Sequence, residues 1–243
     1  MMADSLQKTS SLRAVLFDLD NTLYDRDQTF EQCAHGFVEK HLAILEQDRR
    51  AEVLEQILTQ GIKGYAARKT VFAEVLRRFP DVPDDADALD ALFYRQWLTH
   101  MRLDAGTLRL LKALDIAGIP FGIITNGSTR QNFKIDQLAL RSRTQCIFIS
   151  AEFGCSKPDP AIFQAAASCL GVPCEQILFV GDNPHADICG ADAVGMTTAW
   201  LHRGTGWPVE ITDVQPDFRI ASLADLLPIL SPTEGDPRSL SGV

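Results

Sequence analysis

The feature that most constrains this chain is a change of period at Asp104. From there, short continuous apolar runs alternate with stretches of helical spacing. "TLRLLKALDIAG" reads as a helix closing at Gly118, "IPFGIIT" as a buried strand, "STRQNFKIDQLAL" as a helix and "QCIFIS" as a strand. "DPAIFQAAASCLG" reads as a helix opening near Pro160 and closing at Gly171. "QILFVG" follows as a strand, "PHADICGADAVG" as a short helix and "MTTAWL" as a strand. Runs that are apolar at every position suit strands buried on both faces. Proline at helix starts and glycine at helix ends mark the boundaries. Alternating β and α of this kind implies an α/β fold, a Rossmann-like doubly wound parallel sheet with helices on both faces.

One more run of this type, at 13–18, stands apart from the others. Between them the apolar positions follow a helical period: Phe30, Cys33, Ala34, Phe37, Val38, His41, Leu42 and Leu45, then Val53, Leu54, Ile57 and Leu58. Val71, Phe72, Val75, Leu76 and Phe79 repeat it, as do Leu89, Leu92, Phe93 and Leu98, after a turn-rich break at "PDVPDDAD". The first strand therefore joins the later sheet, and the helical block is an insertion. The expected organisation is a core of residues 11–24 and 101–231, an all-α cap at 25–100, and flexible polar termini at 1–10 and 232–243.

Composition narrows the function. The chain has 243 residues, 46% apolar and 23% charged, which is enough for a sizeable core. Its formal net charge of −9 makes it a poor binder of nucleic acid or of an anionic membrane. An anionic substrate would need a metal or a local cation to reverse the field. No apolar run reaches the ~18 residues of a membrane-spanning helix. "MMADSLQKTSS" lacks the apolar segment of a signal peptide. Cys33, Cys146, Cys155, Cys169, Cys174 and Cys189 form no C-x-x-C and no zinc spacing. Most lie in apolar stretches and read as small core residues, which fits a reducing, cytoplasmic setting.

Ligands of open α/β sheets bind beyond the carboxyl ends of the strands. Asp18, Asp20 and Thr22 follow the first strand. Thr125, Asn126 and Gly127 follow the second, Lys157 lies in the loop after "IFIS", and Asp182 and Asp187 follow "LFV". Asp18 and Asp20, two residues apart at the end of a buried strand, are costly unless something neutralises them.

"FDLDNTL", "ITNGS", "SKPDP" and "GDNPHAD", in this order, resemble the four motifs of the haloacid dehalogenase (HAD) superfamily. The resemblance spans residues 13–24 and 101–205, and the helical insertion matches in position and type the all-α cap of one of its subfamilies. It implies a Mg²⁺-dependent phosphatase that hydrolyses a small phosphorylated metabolite through an aspartyl-phosphate. Asp18 would be the nucleophile. Asp20 would protonate the leaving oxygen and then activate water. Thr125 would donate its hydroxyl, and Asn126 and Gly127 their backbone N–H groups, to the phosphoryl oxygens. Lys157 would neutralise Asp18 and those oxygens. Asp18, the carbonyl of Asp20 and Asp182 would hold Mg²⁺, with Asp187 in support. Thr22 would hold the loop through a hydroxyl–backbone bond.

Asp25 and Arg130 are further candidates to meet substrate, whereas Asp27 and His185 read as structural. The loop Gly61–Tyr65, with Lys63, is the candidate for substrate choice, and a plain interhelical turn accounts for it equally well. Three rivals remain. A 2-haloacid dehalogenase of the same superfamily lacks an acidic residue where Asp20 stands and needs no metal. A phosphomutase shares both aspartates. A non-catalytic phosphate-binding protein would bind without turnover.

Overall fold

The structure, a computed structural model, describes residues 12–61, 65–82 and 85–230, without the side chains of residues 65–67. The two termini expected to be flexible, and Lys63 with its neighbours, lie outside the described residues. The chain divides into two compact units. One runs up to Tyr24 and resumes at Leu103, and the other is Asp25–Arg102.

The first unit is built on six strands: β1 (Ala14–Phe17), β2 (Phe121–Thr125), β3 (Ile147–Ile149), β4 (Ile177–Gly181), β5 (Thr197–Leu201) and β6 (Phe218–Ile220). They are parallel and ordered β3-β2-β1-β4-β5-β6. This is the doubly wound order, with its switch point between β1 and β4. β1 is central, and Phe17 lies opposite both Ile123 and Val180. The backbone N–H of Asp18 continues the ladder, donating to the Val180 carbonyl at 2.9 Å. The residue that follows β1 is thereby fixed beside the end of β4, at the switch point.

Side chains alternate between the two faces of each strand. Ala14, Leu16, Ile177 and Phe179 pack with Ile162, Phe163, Ala166 and Ala167 of a helix at Pro160–Leu170. The rings of Phe163 and Phe179 meet edge to face at 5.1 Å. Val15, Phe17, Leu178 and Val180 are equally buried and point the other way. Burial of each large side chain contributes roughly 1.5–3 kcal/mol. That two-sided burial explains why the strands read as unbroken apolar runs.

The second unit has four helices among the described residues: α1 (Arg26–His41), α2 (Gln47–Gln60), α3 (Tyr65–Arg78) and α4 (Ala86–His100). Asp25 and Asp85 cap α1 and α4 by accepting from Gln28 N and Ala88 N at 2.9 and 2.7 Å. Phe30, Phe37, Phe72, Phe93 and Trp97 form its aromatic core, with ring contacts of 5.2–6.0 Å. Within that core the Arg68 Nε donates to Asp90 Oδ1 at 2.9 Å. The first unit adds α5 (Ala105–Ala117), closed by Gly118 at φ +64, then α6 (Gln131–Gln137) and α7 (Pro160–Leu170).

The structure departs from the expectations in four places. A sixth strand, three residues long, completes the sheet. α6 is shorter than the helix expected over "STRQNFKIDQLAL", because Ser128 and Thr129 carry tight turns and Ala139 adopts φ +53. "PHADIC" forms a π-helical turn at Pro184–Cys189. Among the cysteines only Cys33 and Cys146 are buried, while Cys169 is exposed; all six are free. Cys155 and Cys174 are half-buried against the core, and Cys189 is half-buried on the π-helical turn.

Candidate active site

The ends of β1, β2 and β4, with the loop after β3, assemble two adjoining polar pockets in the first unit. The first surrounds Asp18. Lys157 Nζ donates to Asp18 Oδ1 at 2.6 Å and lies 2.7 Å from Asp187 Oδ1, there as an ion pair off the direction of a hydrogen bond. The ammonium also stands 5.5 Å from the centre of the Phe179 ring. Asp187 reaches back from the π-helical turn and accepts from Asn183 N through Oδ2 at 2.9 Å. A Cβ on Gly181 would fall inside the Asp187 carboxylate, so this position takes no side chain. Trp200 Nε1 donates to the Asp182 carbonyl at 2.8 Å and steadies the same loop.

Asp18, Asp182 and Asp187 each present an oxygen within 4.8 Å of the others. Three carboxylates thus face one ammonium. Burial pushes Asp18 up to about 8; Lys157 opposes the shift, while Asp187 and Asp182 add to it. Burial and then Asp187 push Asp182 up to about 7, against Lys157 and Arg203. Lys157 itself is firmly charged. Burial disfavours its ammonium, but Asp18 and Asp187 outweigh that and hold it above its ordinary range. The shortage of positive charge therefore falls on the carboxylates. A hard divalent cation fits this donor set, which offers oxygen ligands only and an excess of negative charge.

The second pocket surrounds Asp20. Lys134 Nζ, from α6, donates to both carboxylate oxygens at 2.7 Å. Tyr24 Oη donates to Oδ1 at 2.5 Å and Gln131 Nε2 to Oδ2 at 2.8 Å. Burial alone would raise this carboxyl. The Lys134 charge and the hydrogen bonds of Lys134, Tyr24 and Gln131 outweigh it and hold Asp20 below its ordinary range. Thr125 is buried, and its Oγ1 accepts from Gln131 Nε2 at 2.6 Å. That leaves the Thr125 hydroxyl proton to be donated elsewhere.

Several residues behave otherwise than expected. The Asn126 carboxamide clamps the backbone of Lys157, donating to its carbonyl and accepting from its N–H, both at 2.9 Å. The Gly127 N–H is spent on Ser150 Oγ at 3.0 Å, because the helical turn after β3 abuts this loop. It is not directed to a phosphoryl oxygen. Glycine is needed here for another reason: a Cβ would lie 2.8 Å from Gln131 Cγ. The expected hydroxyl–backbone bond of Thr22 is not formed. Its Oγ1 is buried without a hydrogen-bond partner among the described residues. The loop is held instead by the Leu23 N–H on the Leu19 carbonyl at 3.1 Å and by the Asp20–Tyr24 contact. Asp25 serves as a helix cap, and His185 is exposed.

Gln131, Lys134, Tyr24 and Trp200 escaped the reading of the sequence. The available signal for the first two was their spacing. Positions 131 and 134 share a helix face with the buried Ile135 and Leu138, where a lysine needs a partner.

The first unit is thus a doubly wound sheet with a lysine-paired aspartate after its first strand and an acidic cluster at its switch point. The family described as haloacid dehalogenase-like hydrolase matches residues 12–195, and the chain belongs to it. A glyceraldehyde 3-phosphate phosphatase of Methanopyrus kandleri is 30% identical over 90% of this chain and 97% of its own length. An (S)-2-haloacid dehalogenase of Pseudomonas putida is 28% identical over 89% of this chain and 95% of its own. Among solved structures, a HAD phosphatase from Thermococcus onnurineus superimposes with a TM-score of 0.60 at 25% identity, over 90% of this chain and 98% of that one.

Proposed function

We propose that the protein is a Mg²⁺-dependent phosphatase of small phosphomonoesters, acting through an aspartyl-phosphate on Asp18. The observation that carries this reading is the excess of carboxylate over ammonium around Asp18. A haloacid carries a carboxylate of its own, and a site with that imbalance suits it poorly without a cation. Several curated relatives are named as phosphatases, which supports the same choice. So does Asp20, since dehalogenase chemistry has no use for an acidic residue there. The six free cysteines suit a cytoplasmic setting.

The roles follow from the two pockets. Asp18 and Asp182, with the Asp20 carbonyl and Asp187 in support, would hold Mg²⁺, which when bound neutralises these carboxylates and the phosphoryl oxygens. Lys157 keeps an Asp18 oxygen oriented and adds a fixed positive charge for the incoming phosphate. The Thr125 hydroxyl and the Asn126 backbone N–H take phosphoryl oxygens. In the first step an Asp18 oxygen attacks phosphorus, the ester P–O bond breaks, and the departing alcohol oxygen takes the proton carried by Asp20, which is left ionised. In the second, water attacks the phosphorus of the aspartyl-phosphate and gives a proton to Asp20. The bond from phosphorus to the Asp18 oxygen breaks, freeing Asp18 and inorganic phosphate. Asp20, held ionised, is suited to the base role of this second step.

Purified protein is screened against a panel of phosphorylated metabolites, p-nitrophenyl phosphate and acetyl phosphate, with Mg²⁺ and with excess chelator. The expected result is turnover with Mg²⁺ that chelation removes. No activity with Mg²⁺, Mn²⁺ or Co²⁺, or halide release from an (S)-2-haloacid that survives chelation, would overturn the reading.

A further inference from the structure

We propose that Gln131 and Lys134 of α6 are positioning residues that lock the Asp20 carboxylate to the Thr125 hydroxyl, so that the base and the phosphoryl-oxygen donor are aimed as one unit. The inference rests on the phosphatase reading and adds two residues to it. The Gln131 amide nitrogen spans 2.8 Å to Asp20 Oδ2 and 2.6 Å to Thr125 Oγ1. A carboxamide NH₂ carries two protons, so both are committed by these contacts. Lys134 Nζ sits 2.7 Å from each Asp20 oxygen, which fixes the plane of the carboxylate as well as its place. Both side chains are buried, at 4% and 6% exposure. Gly127 provides the space: the stem of Gln131 runs where a Cβ of residue 127 would be.

A structural role alone asks for less. Lysine has only to neutralise one carboxylate, and a bond to either oxygen would do so. Glutamine has only to be satisfied, and solvent beside a short helix would serve. Instead these four contacts converge on the two groups that must meet the same phosphoryl group from different strand ends, Asp20 after β1 and Thr125 after β2. Misplacing a reacting group by about 1 Å can cost on the order of 10²-fold in rate. A rigid link across two strand ends is a physical means of avoiding that loss.

The test uses Gln131→Met, which keeps the length and removes the donors, and Lys134→Met with Lys134→Arg as the rescue. The readouts are kcat and KM on p-nitrophenyl phosphate, and the lifetime of the phosphoenzyme trapped by rapid quench from labelled acetyl phosphate. Each is also measured in an Asp20→Asn background. Expected are a kcat lowered roughly 10–100-fold by Gln131→Met with KM within about threefold, and a longer-lived phosphoenzyme. In the Asp20→Asn background Gln131→Met should cost less than it does alone, because only the aim of Thr125 is left to lose. Lys134→Arg should recover part of what Lys134→Met loses. If Lys134→Met does not fold, Gln131→Met, which removes no charge, decides. A folded Gln131→Met protein with wild-type kcat and phosphoenzyme lifetime would overturn the proposal, as would full additivity with Asp20→Asn. If Asp20→Asn itself leaves the lifetime unchanged, the base assignment falls and this proposal with it. If Asp20→Asn prolongs it and Gln131→Met does not, only the positioning role falls.

Discussion

The molecule buries aspartates against cations in two very different ways. In the helical unit Asp90 meets Arg68 at 2.9 Å, both almost fully buried, with the guanidinium 5.5 and 5.6 Å from the rings of Phe93 and Trp97. The charges balance, and an aromatic core surrounds them. At the strand ends of the sheet, Asp18, Asp182 and Asp187 lie together against Lys157, with Arg203 acting on Asp182 alone, so carboxylates still outnumber cations. The first arrangement sets one cation against one carboxylate and ties α3 to α4. The second is unbalanced, and burial has made the imbalance costly. A fold tolerates that cost where something else supplies the missing charge. Balance marks a structural pair here, and excess marks a site.

The strongest way to break this contrast is to substitute one aspartate on each side. Asp18→Asn removes the proposed nucleophile and one of the clashing charges while keeping the shape. Turnover should fall by roughly 10⁴-fold or more, and the chelated protein should melt no lower than wild type. Retained activity within tenfold would remove Asp18 from its role. A protein that melts well below wild type would show that Asp18 belongs to a balanced pair after all. Asp90→Asn should do the opposite. It removes a charged partner of Arg68 within an aromatic core, and removing one member of a buried pair costs about 3–5 kcal/mol. Chemical denaturation would read this directly. A loss under about 1 kcal/mol would show that Arg68 does not depend on Asp90.

The pH dependence of stability sharpens the same point. Asp18 and Asp182 are raised from the ordinary carboxylate range to about 8 and about 7. The folded state then binds more protons than the unfolded chain between about pH 4 and pH 8, so stability falls as pH rises through that window. Asp20, lowered in the folded state, is ionised in both states over most of this range and contributes no slope there. The melting temperature of chelated protein should therefore decline between pH 5.5 and 8, and Mg²⁺ should restore more of it at pH 8 than at pH 5.5. A flat profile without metal would mean that the carboxylates are already compensated.

Much of this was legible before the structure. Asp18 and Asp182 stand directly after apolar runs, Lys157 and Asp187 in the segments that follow two of them, and the parallel sheet leaves strand ends nowhere to go but one edge. Lys134 and Gln131 were not legible in the same way. They sit inside a helix whose polar residues look like any solvated face, and only their register with Ile135 and Leu138 sets them apart. Gly127 was found at the right place with a different duty, and the Asn126 carboxamide with one that was not foreseen. Sequence marks the loop, but which donors remain for a ligand depends on neighbours such as Ser150 and the backbone of Lys157. β6 escaped because three residues carry almost no periodicity, and the early end of α6 because an alanine at φ +53 leaves no trace in the letters.

Trp200 carries the smallest and most discriminating effect. In the sequence it is one more apolar residue of "MTTAWL", and it is 2% exposed, as a core residue would be. Its ring packs edge to face on Trp207 at 5.0 Å, and Arg219 lies over it at 5.8 Å. Trp200→Phe should keep most of that packing and lose one thing, the bond from Nε1 to the Asp182 carbonyl. A hydrogen bond of this kind contributes about 0.5–1.5 kcal/mol net. Part of that loss should appear as stability. The rest should appear in the site, because a loosened Asp182 backbone lets its carboxylate wander from the cluster that gives it purpose. The expected result is a Mg²⁺ requirement raised severalfold with kcat at saturating Mg²⁺ nearly unchanged. Lys157 and Asp18 are untouched by the substitution, so the chemical step keeps its parts. If stability falls while the Mg²⁺ requirement stays put, the indole bond is ordinary core structure, on the balanced side of the comparison. If the Mg²⁺ requirement rises, the unbalanced pocket extends through the backbone of Asp182 to a residue of β5.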